Sequence, residues 1–157
     1  MSKKEVIIYV LILLAIILVR SFVVTPIKVN GDSMNDTLKN GEIMILKKYD
    51  KSIERFDIVV VDIGYEKVIK RVIALPKEEF EFKNKQLYIN GEKVKNKFGK
   101  GNTVDFKDYC GAGEYFVMGD NRENSLDSRS FGCVKKSQIL GTTNLVLFPF
   151  KKAGKVK

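Results

Sequence analysis

The chain has 157 residues, with 28 Lys and Arg against 19 Asp and Glu, a net charge of +9, and no histidine. That length bounds it to one domain with an anchor and a small subdomain. The charge favours anionic partners, but no basic cluster is interleaved with aromatics in a nucleic-acid-binding pattern, so nucleic acid is set aside and membrane lipid kept. Without histidine, four zinc ligands would need an unusual carboxylate set, and neither metal nor cofactor is expected. Cys110 and Cys133 are the only cysteines. A disulfide stays open for an extracytoplasmic domain, but two unpaired thiols are preferred, because nothing in the sequence brings the pair within reach.

The first element in chain order is the apolar stretch 6–24, broken only by Arg20 and Ser21. At helical rise it spans about 28 Å, against about 30 Å for a bilayer core. Arg20 lies near the distal end, where its stem can snorkel to the headgroups. No small-x-small cleavage site follows in Phe22-Val23-Val24-Thr25-Pro26-Ile27, which favours a retained anchor over a cleaved secretory signal. Lys3 and Lys4 precede the span, and Arg20 and Lys28 follow it, so the positive-inside rule gives a weak preference for a cytoplasmic N-terminus. The expected organisation is a cytoplasmic segment 1–5, a transmembrane anchor 6–24 and an extracytoplasmic domain 25–157, with a smaller β insertion at 79–113.

After Pro26 the chain reads as short strands. Ile43-Met44-Ile45-Leu46, Ile58-Val59-Val60-Val61 and residues 68–75 are apolar or β-branched runs. Glu79-Phe80-Glu81-Phe82 alternates with period two, and Asn90-Gly91 between Leu87-Tyr88-Ile89 and Glu92-Lys93-Val94 is a hairpin signal. The polar, Gly-rich stretch 95–113 reads as loop, or as the edge of a subdomain. Residues 115–118 and 145–148 add two strands, and one short helix is expected near 136–140. The fold class is mainly β: antiparallel sheets forming a β domain with a small β insertion, behind one N-terminal transmembrane helix.

Three segments carry candidate chemistry. Ser33 lies in the turn-like Asn30-Gly31-Asp32-Ser33-Met34-Asn35. With no imidazole in the chain, a neutral lysine amine is the remaining common activator of a serine hydroxyl. Lys70 sits in Val68-Ile69-Lys70-Arg71-Val72-Ile73-Ala74-Leu75-Pro76, where alternation puts Val68, Lys70, Val72 and Ala74 on one face. The Gly-x-Ser-x-Gly elbow is absent, since residue 35 is Asn, and no serine has a lysine three positions later. Taken singly, Ser33 also fits a plain turn and Lys70 an exposed edge-strand lysine. The third segment, Gly119-Asp120-Asn121-Arg122-Glu123-Asn124-Ser125-Leu126-Asp127-Ser128-Arg129-Ser130-Phe131-Gly132, is dense enough in polar groups to form an ordered network.

Together these segments resemble the type I signal peptidases, membrane-bound serine-lysine leader peptidases. Gly31-Asp32-Ser33-Met34-Asn35-Asp36-Thr37-Leu38 is similar to the nucleophile box, Arg55-Phe56-Asp57-Ile58-Val59-Val60 to the following strand box, Lys70-Arg71-Val72-Ile73-Ala74-Leu75-Pro76 to the general-base box, and residues 119–132 to the last box. The resemblance implies Ser33 as nucleophile, Lys70 as general base, Ser125 as the hydroxyl that orients the amine, and Asp127 with Arg129 as a supporting ion pair. It implies the Ser33 N–H as an oxyanion donor; Gly31 stands where some relatives carry a serine that gives a second one. Asp36 replaces a usual proline, Phe56 a common glycine, Lys77-Glu78 a frequent Gly-Asp, and Cys133 a frequent proline.

At neutral pH, deprotonating a free lysine costs about 4.6 kcal/mol. Burial among Val68 and Val72 would remove most of that cost, with the Arg71 charge expected to push the same way. The implied substrates are preprotein signal peptides, cut after small-x-small sequences. An extended peptide added to a sheet edge turns residues i and i+2 the same way. Val29, Met34, Leu38, Val60 and Ile69 are the implied pocket walls. Two rival readings remain: a self-cleaving serine-lysine protein of related fold, and a non-catalytic membrane-anchored β domain.

Overall fold

The computed structural model describes residues 2–49 and 52–156, apart from the side chains of Val19, Ser21 and Phe22. Its first element is α1, Lys3–Phe22, whose apolar side chains from Val6 to Leu18 are exposed. Among the described residues, no helix is long and apolar enough to cross a membrane. The expected span 6–24 thus depends on Val19, Ser21 and Phe22, whose side chains lie outside the described residues. Its end is corrected: the helix stops at Phe22, and Val24 opens the first strand.

The rest is built from antiparallel strands. The larger sheet runs β1 (Val24–Lys28), β2 (Ile43–Lys47), β11 (Ile139–Phe148), β3 (Ile58–Asp62), β4 (Lys67–Ala74), β9 (Glu114–Met118), β10 (Val134–Lys135), with β12 (Gly154–Lys155) on β11. The smaller sheet runs β7 (Glu92–Val94), β6 (Gln86–Ile89), β5 (Glu79–Lys83), β8 (Phe106–Tyr109). The alternation of β5 buries Phe80 and Phe82 and leaves the edges of the strand exposed. These rings join Leu87, Ile89, Phe116 and Met118 in a core between the two sheets. Asn90 and Gly91 turn the β6–β7 hairpin at φ 50° and 83°, as the pair predicts.

Several expectations are refined or corrected. Of the two readings of 95–113, loop or subdomain edge, the second fits: it contains β8, the edge strand of the smaller sheet, in which only Phe106 is part-buried, so its sequence carries no apolar alternation. The short helix near 136–140 is a single 3-10 turn, Lys136–Gln138, and the chain then enters β11. That strand is longer than the expected 145–148 because polar Thr142 and Thr143 are buried between β2 and β3. Gly141 allows the close approach: a Cβ there would lie 2.2 Å from Lys47 O. Finally, Cys110 and Cys133 are paired, with Cα atoms 5.9 Å apart. The smaller sheet brings Cys110 back against the segment after α2 (Ser128–Phe131), a proximity set by tertiary packing rather than by local sequence.

Two departures from the resembled family acquire a backbone reason. Phe56 and Lys77 stand where glycine is common, and both have positive φ, 72° and 64°. Glycine adopts that region without steric cost; here the neighbours hold it. Phe56 N–H bonds Val72 O at 2.8 Å, and Lys77 N–H bonds Cys110 O at 2.9 Å.

Candidate active site

Ser33 leaves the end of β1 in a turn closed by N–H bonds from Thr37 and Leu38 to Met34 O, at 3.1 and 2.8 Å. Lys70 comes from the middle of β4, only 3% exposed. Its Nζ meets Ser33 Oγ at 2.9 Å and Ile69 O at 3.1 Å. The expected pair, 37 residues apart in sequence, is therefore in hydrogen-bond contact. Burial pushes the Lys70 amine below its ordinary 10.5, opposed through space by Asp127 and then Glu66. Arg71, expected to help, is not among these causes. It points instead to Asp120, with Nε at 2.9 Å and Nη2 at 2.6 Å from the carboxylate.

Asp127 and Arg129 form a two-point ion pair, Nε to Oδ1 at 2.8 Å and Nη2 to Oδ2 at 2.9 Å. Asp127 is fully buried and also accepts Gly119 N–H at 3.0 Å. Burial alone would raise its pKa, but the Arg129 and Gly119 hydrogen bonds and the nearby Ser125 hydroxyl hold it below the usual carboxylate range. Ser125 Oγ is buried and completes no hydrogen bond of ordinary length and angle. It packs on Gly119, where a Cβ would come within 2.2 Å of Ser125 Oγ and 2.5 Å of Ser33 O. Gly119 is thus the close-approach point between the nucleophile loop and the last polar segment.

Ser33 N–H has no acceptor among the described residues and is available to an oxyanion. Gly31 N–H is engaged by Asn40 Oδ1 at 3.2 Å, so it supplies no second donor. A groove of about 570 Å³ runs beside the edge strand β1, walled by Ile27, Leu46, Val60, Ile69 and Leu140. Of the expected pocket residues, Val60 and Ile69 line it. Val29, Met34 and Leu38 are buried with Met44, Ile58 and Val146 and do not. Ile27 and Leu46 escaped the sequence reading; the Leu46 strand was recognised, but β1, which carries Ile27, was not. Also missed was the carboxylate of Asp120, which accepts Thr37 Oγ1 and so ties the nucleophile loop to Arg71. Its only sequence signal was its place in the polar segment. Among the described residues, no group of His, Cys, Asp and Glu is arranged to hold a metal ion.

Comparison with known proteins bears on this constellation. The family model described as signal peptidase, peptidase S26, matches residues 2–148. The chain belongs to that family. It is 40% identical over 156 residues to signal peptidase I S of Bacillus subtilis (strain 168), covering 88% of this chain and 85% of that protein. A signal peptidase I of Bacillus amyloliquefaciens is 41% identical over 152 residues, covering 85% of this chain and 79% of its own length. The crystal structure of a signal peptidase I from Enterococcus faecalis V583 superposes with a TM-score of 0.52 at 34% identity, over 58% of this chain and 96% of that one. Membership makes the chain a serine peptidase of the type I signal peptidase class.

Proposed function

We propose that this chain removes N-terminal signal peptides from exported preproteins, with Ser33 as nucleophile and Lys70 as general base. The observation that carries this reading is the 2.9 Å contact between the buried Lys70 amine and the Ser33 hydroxyl. The neutral amine takes the Ser33 proton as Oγ attacks the scissile carbonyl. The oxyanion forms against Ser33 N–H, the amine returns its proton to the leaving peptide nitrogen, and water then hydrolyses the acyl-enzyme with Lys70 as base again. Asp127, held by Arg129 and Gly119, keeps the last segment in place; Ser125, whose hydroxyl does not bond the amine in this structure, would have to turn toward Lys70 to orient it. The substrate adds as an extended strand at β1, with small residues at the first and third positions before the cut turned toward the groove walled by Val60 and Ile69.

In the same reading α1 is a membrane anchor, with the N-terminus cytoplasmic and residues 25–157 extracytoplasmic. That puts the groove beside the bilayer that holds a preprotein's apolar segment. The test incubates the purified full chain in detergent with a preprotein. Cleavage after small-x-small, lost in Ser33→Ala and in Lys70→Ala variants that remain folded, is the expected result. Cleavage retained by either variant sinks the dyad, and self-cleavage alone favours the self-processing reading.

A further inference from the structure

Residues 96–102 leave the small sheet after β7 and lie across the polar segment that carries Asp120 and Arg122. Lys100 N–H bonds Asp120 O at 2.7 Å, and Arg122 N–H bonds Lys100 O at 2.9 Å. Gly99 rests on the Arg122 side chain so closely that a Cβ would lie 2.3 Å from its Nε. Arg122 Nη2 in turn donates to Phe98 O at 3.2 Å, and its Nε to Gly119 O at 3.0 Å. This strap is seated backbone to backbone on the segment behind the nucleophile.

Two of its side chains reach further. The Phe98 ring covers the Arg71 guanidinium, 3.8 Å from Cζ to the ring centroid, and packs on Phe56 at 5.3 Å. Lys100 Nζ reaches Asp36 Oδ1 at 2.9 Å. Asp36 has φ 95°, a conformation closed to the proline usual at that place in the resembled family. Behind Phe98, both Arg71 and Asp120 meet the Thr37 hydroxyl. Beside it, Asn121 N–H bonds Ser33 O at 3.0 Å, and Asn121 Nδ2 bonds Asp32 O at 3.2 Å. The nucleophile loop is therefore gripped at Asp32, Ser33 and Thr37 by groups that the strap backs.

We propose that the strap 96–102 sets the nucleophile loop, with Phe98 as its positioning residue, in place of the rigidity that a proline at position 36 would give. Phe98 closes the Arg71–Asp120 pair from water, and the pair fixes Thr37. The kinetic part rests on Ser33 being the nucleophile; the structural part does not. In the full chain, Phe98→Ala should lower kcat for a short peptide by about five- to tenfold, between the worth of an exposed and of a desolvated cation–π contact. KM should hold, because the groove is untouched, and the acid limb of the pH profile should hold, because Lys70 is not contacted. Phe98→Trp should restore kcat, and Phe98→Leu, apolar but without a π face, should fall between. In a Ser33→Ala background, Phe98→Ala should speed hydrogen exchange at the Thr37 and Leu38 amides, a readout independent of activity. If the Ala variant does not fold, the Leu and Trp variants carry the same comparison. Unchanged kcat with unchanged exchange, or a raised KM at constant kcat, overturns the strap. Faster exchange in a protein whose Ser33→Ala form still cleaves would overturn the dyad and leave the strap standing.

Discussion

Lys70 and Arg71 are neighbours on β4 and both are buried, yet the fold treats their charges in opposite ways. Arg71 has the Asp120 carboxylate at 2.6 Å, the Phe56 carbonyl at 2.8 Å and the Phe98 ring above it. Lys70 has one hydroxyl and one carbonyl, and the carboxylates that bear on it, Asp127 and Glu66, act only through space. A buried charge without a bonded counter-ion costs several kcal/mol. Arg71 is arranged to stay charged and Lys70 to lose its charge. Burial is common to both, so under the proposed mechanism it is the withheld carboxylate, not burial, that distinguishes the base from its neighbour.

Removing each cation in turn tests the comparison most severely. Arg71→Met leaves Asp120 buried without its counter-ion and should cost about 3–5 kcal/mol, read as a lower urea midpoint. Lys70→Met should cut turnover at least about 100-fold, the contribution of a general base, and yet raise the midpoint. The sign follows from the direction of the shift. The Lys70 pKa is lowered from 10.5 in the folded state, so the folded protein binds this proton more weakly than the unfolded chain. The native lysine costs stability in full below its folded pKa, and the cost fades as pH rises toward 10.5. The gain in Lys70→Met should be largest on the acid side and vanish above that value. A variant less stable than its parent at acid pH would make Lys70 an ordinary charged lysine.

This contrast was only half legible in the sequence. Lys70 stood out because the chain has no histidine and because Val68 and Val72 share its face. The strands were equally plain where β-branched runs or an Asn-Gly pair wrote them locally. The partner of Arg71 lies 49 residues away, in a segment that reads as turn formers, and only the pairing of β4 with β9 brings them together. The Cys110–Cys133 bridge was hidden for the same reason: the smaller sheet folds back to make it. Phe56 and Lys77 show a different limit. Their positive φ values are imposed by neighbours against local preference, so no rule about the residues themselves could predict them.

Asp127 sharpens the comparison at the next magnitude, because it acts on Lys70 through space while bonding a cation of its own, Arg129. It is neutralised by Arg129 and also opposes the lowering of Lys70. Arg129→Ala should cost about 1.5–3 kcal/mol, the worth of hydrogen bonds to a buried charge. That loss should be present above the ordinary carboxylate pKa of 3.8 and disappear as pH falls through the lowered folded value. With its carboxylate less well compensated, Asp127 should raise the Lys70 pKa, moving the acid limb of kcat/KM to higher pH. Arg20→Ala, far from the network, should move neither. Equal melting curves for the two variants, with equal turnover of a short peptide, would count against the buried pair.

The smallest effect isolates the through-space part of the argument. Glu66 lies on the exposed approach to β4 and raises the Lys70 pKa without touching the amine. Only neutral Lys70 accepts the Ser33 proton, so cleavage should fall as pH drops through the lowered pKa. Glu66→Gln removes a distant negative charge, destabilises the protonated amine, and should move that acid limb to lower pH, opposite in sign to Arg129→Ala. Because Glu66 is exposed, the difference should shrink as salt rises and the Debye length contracts. The measurement is kcat/KM against pH for the full chain at low and high ionic strength, using a peptide with no group titrating in the range. An acid limb that stays put in Glu66→Gln at low salt, or that moves up, would mean the limb reports some group other than Lys70.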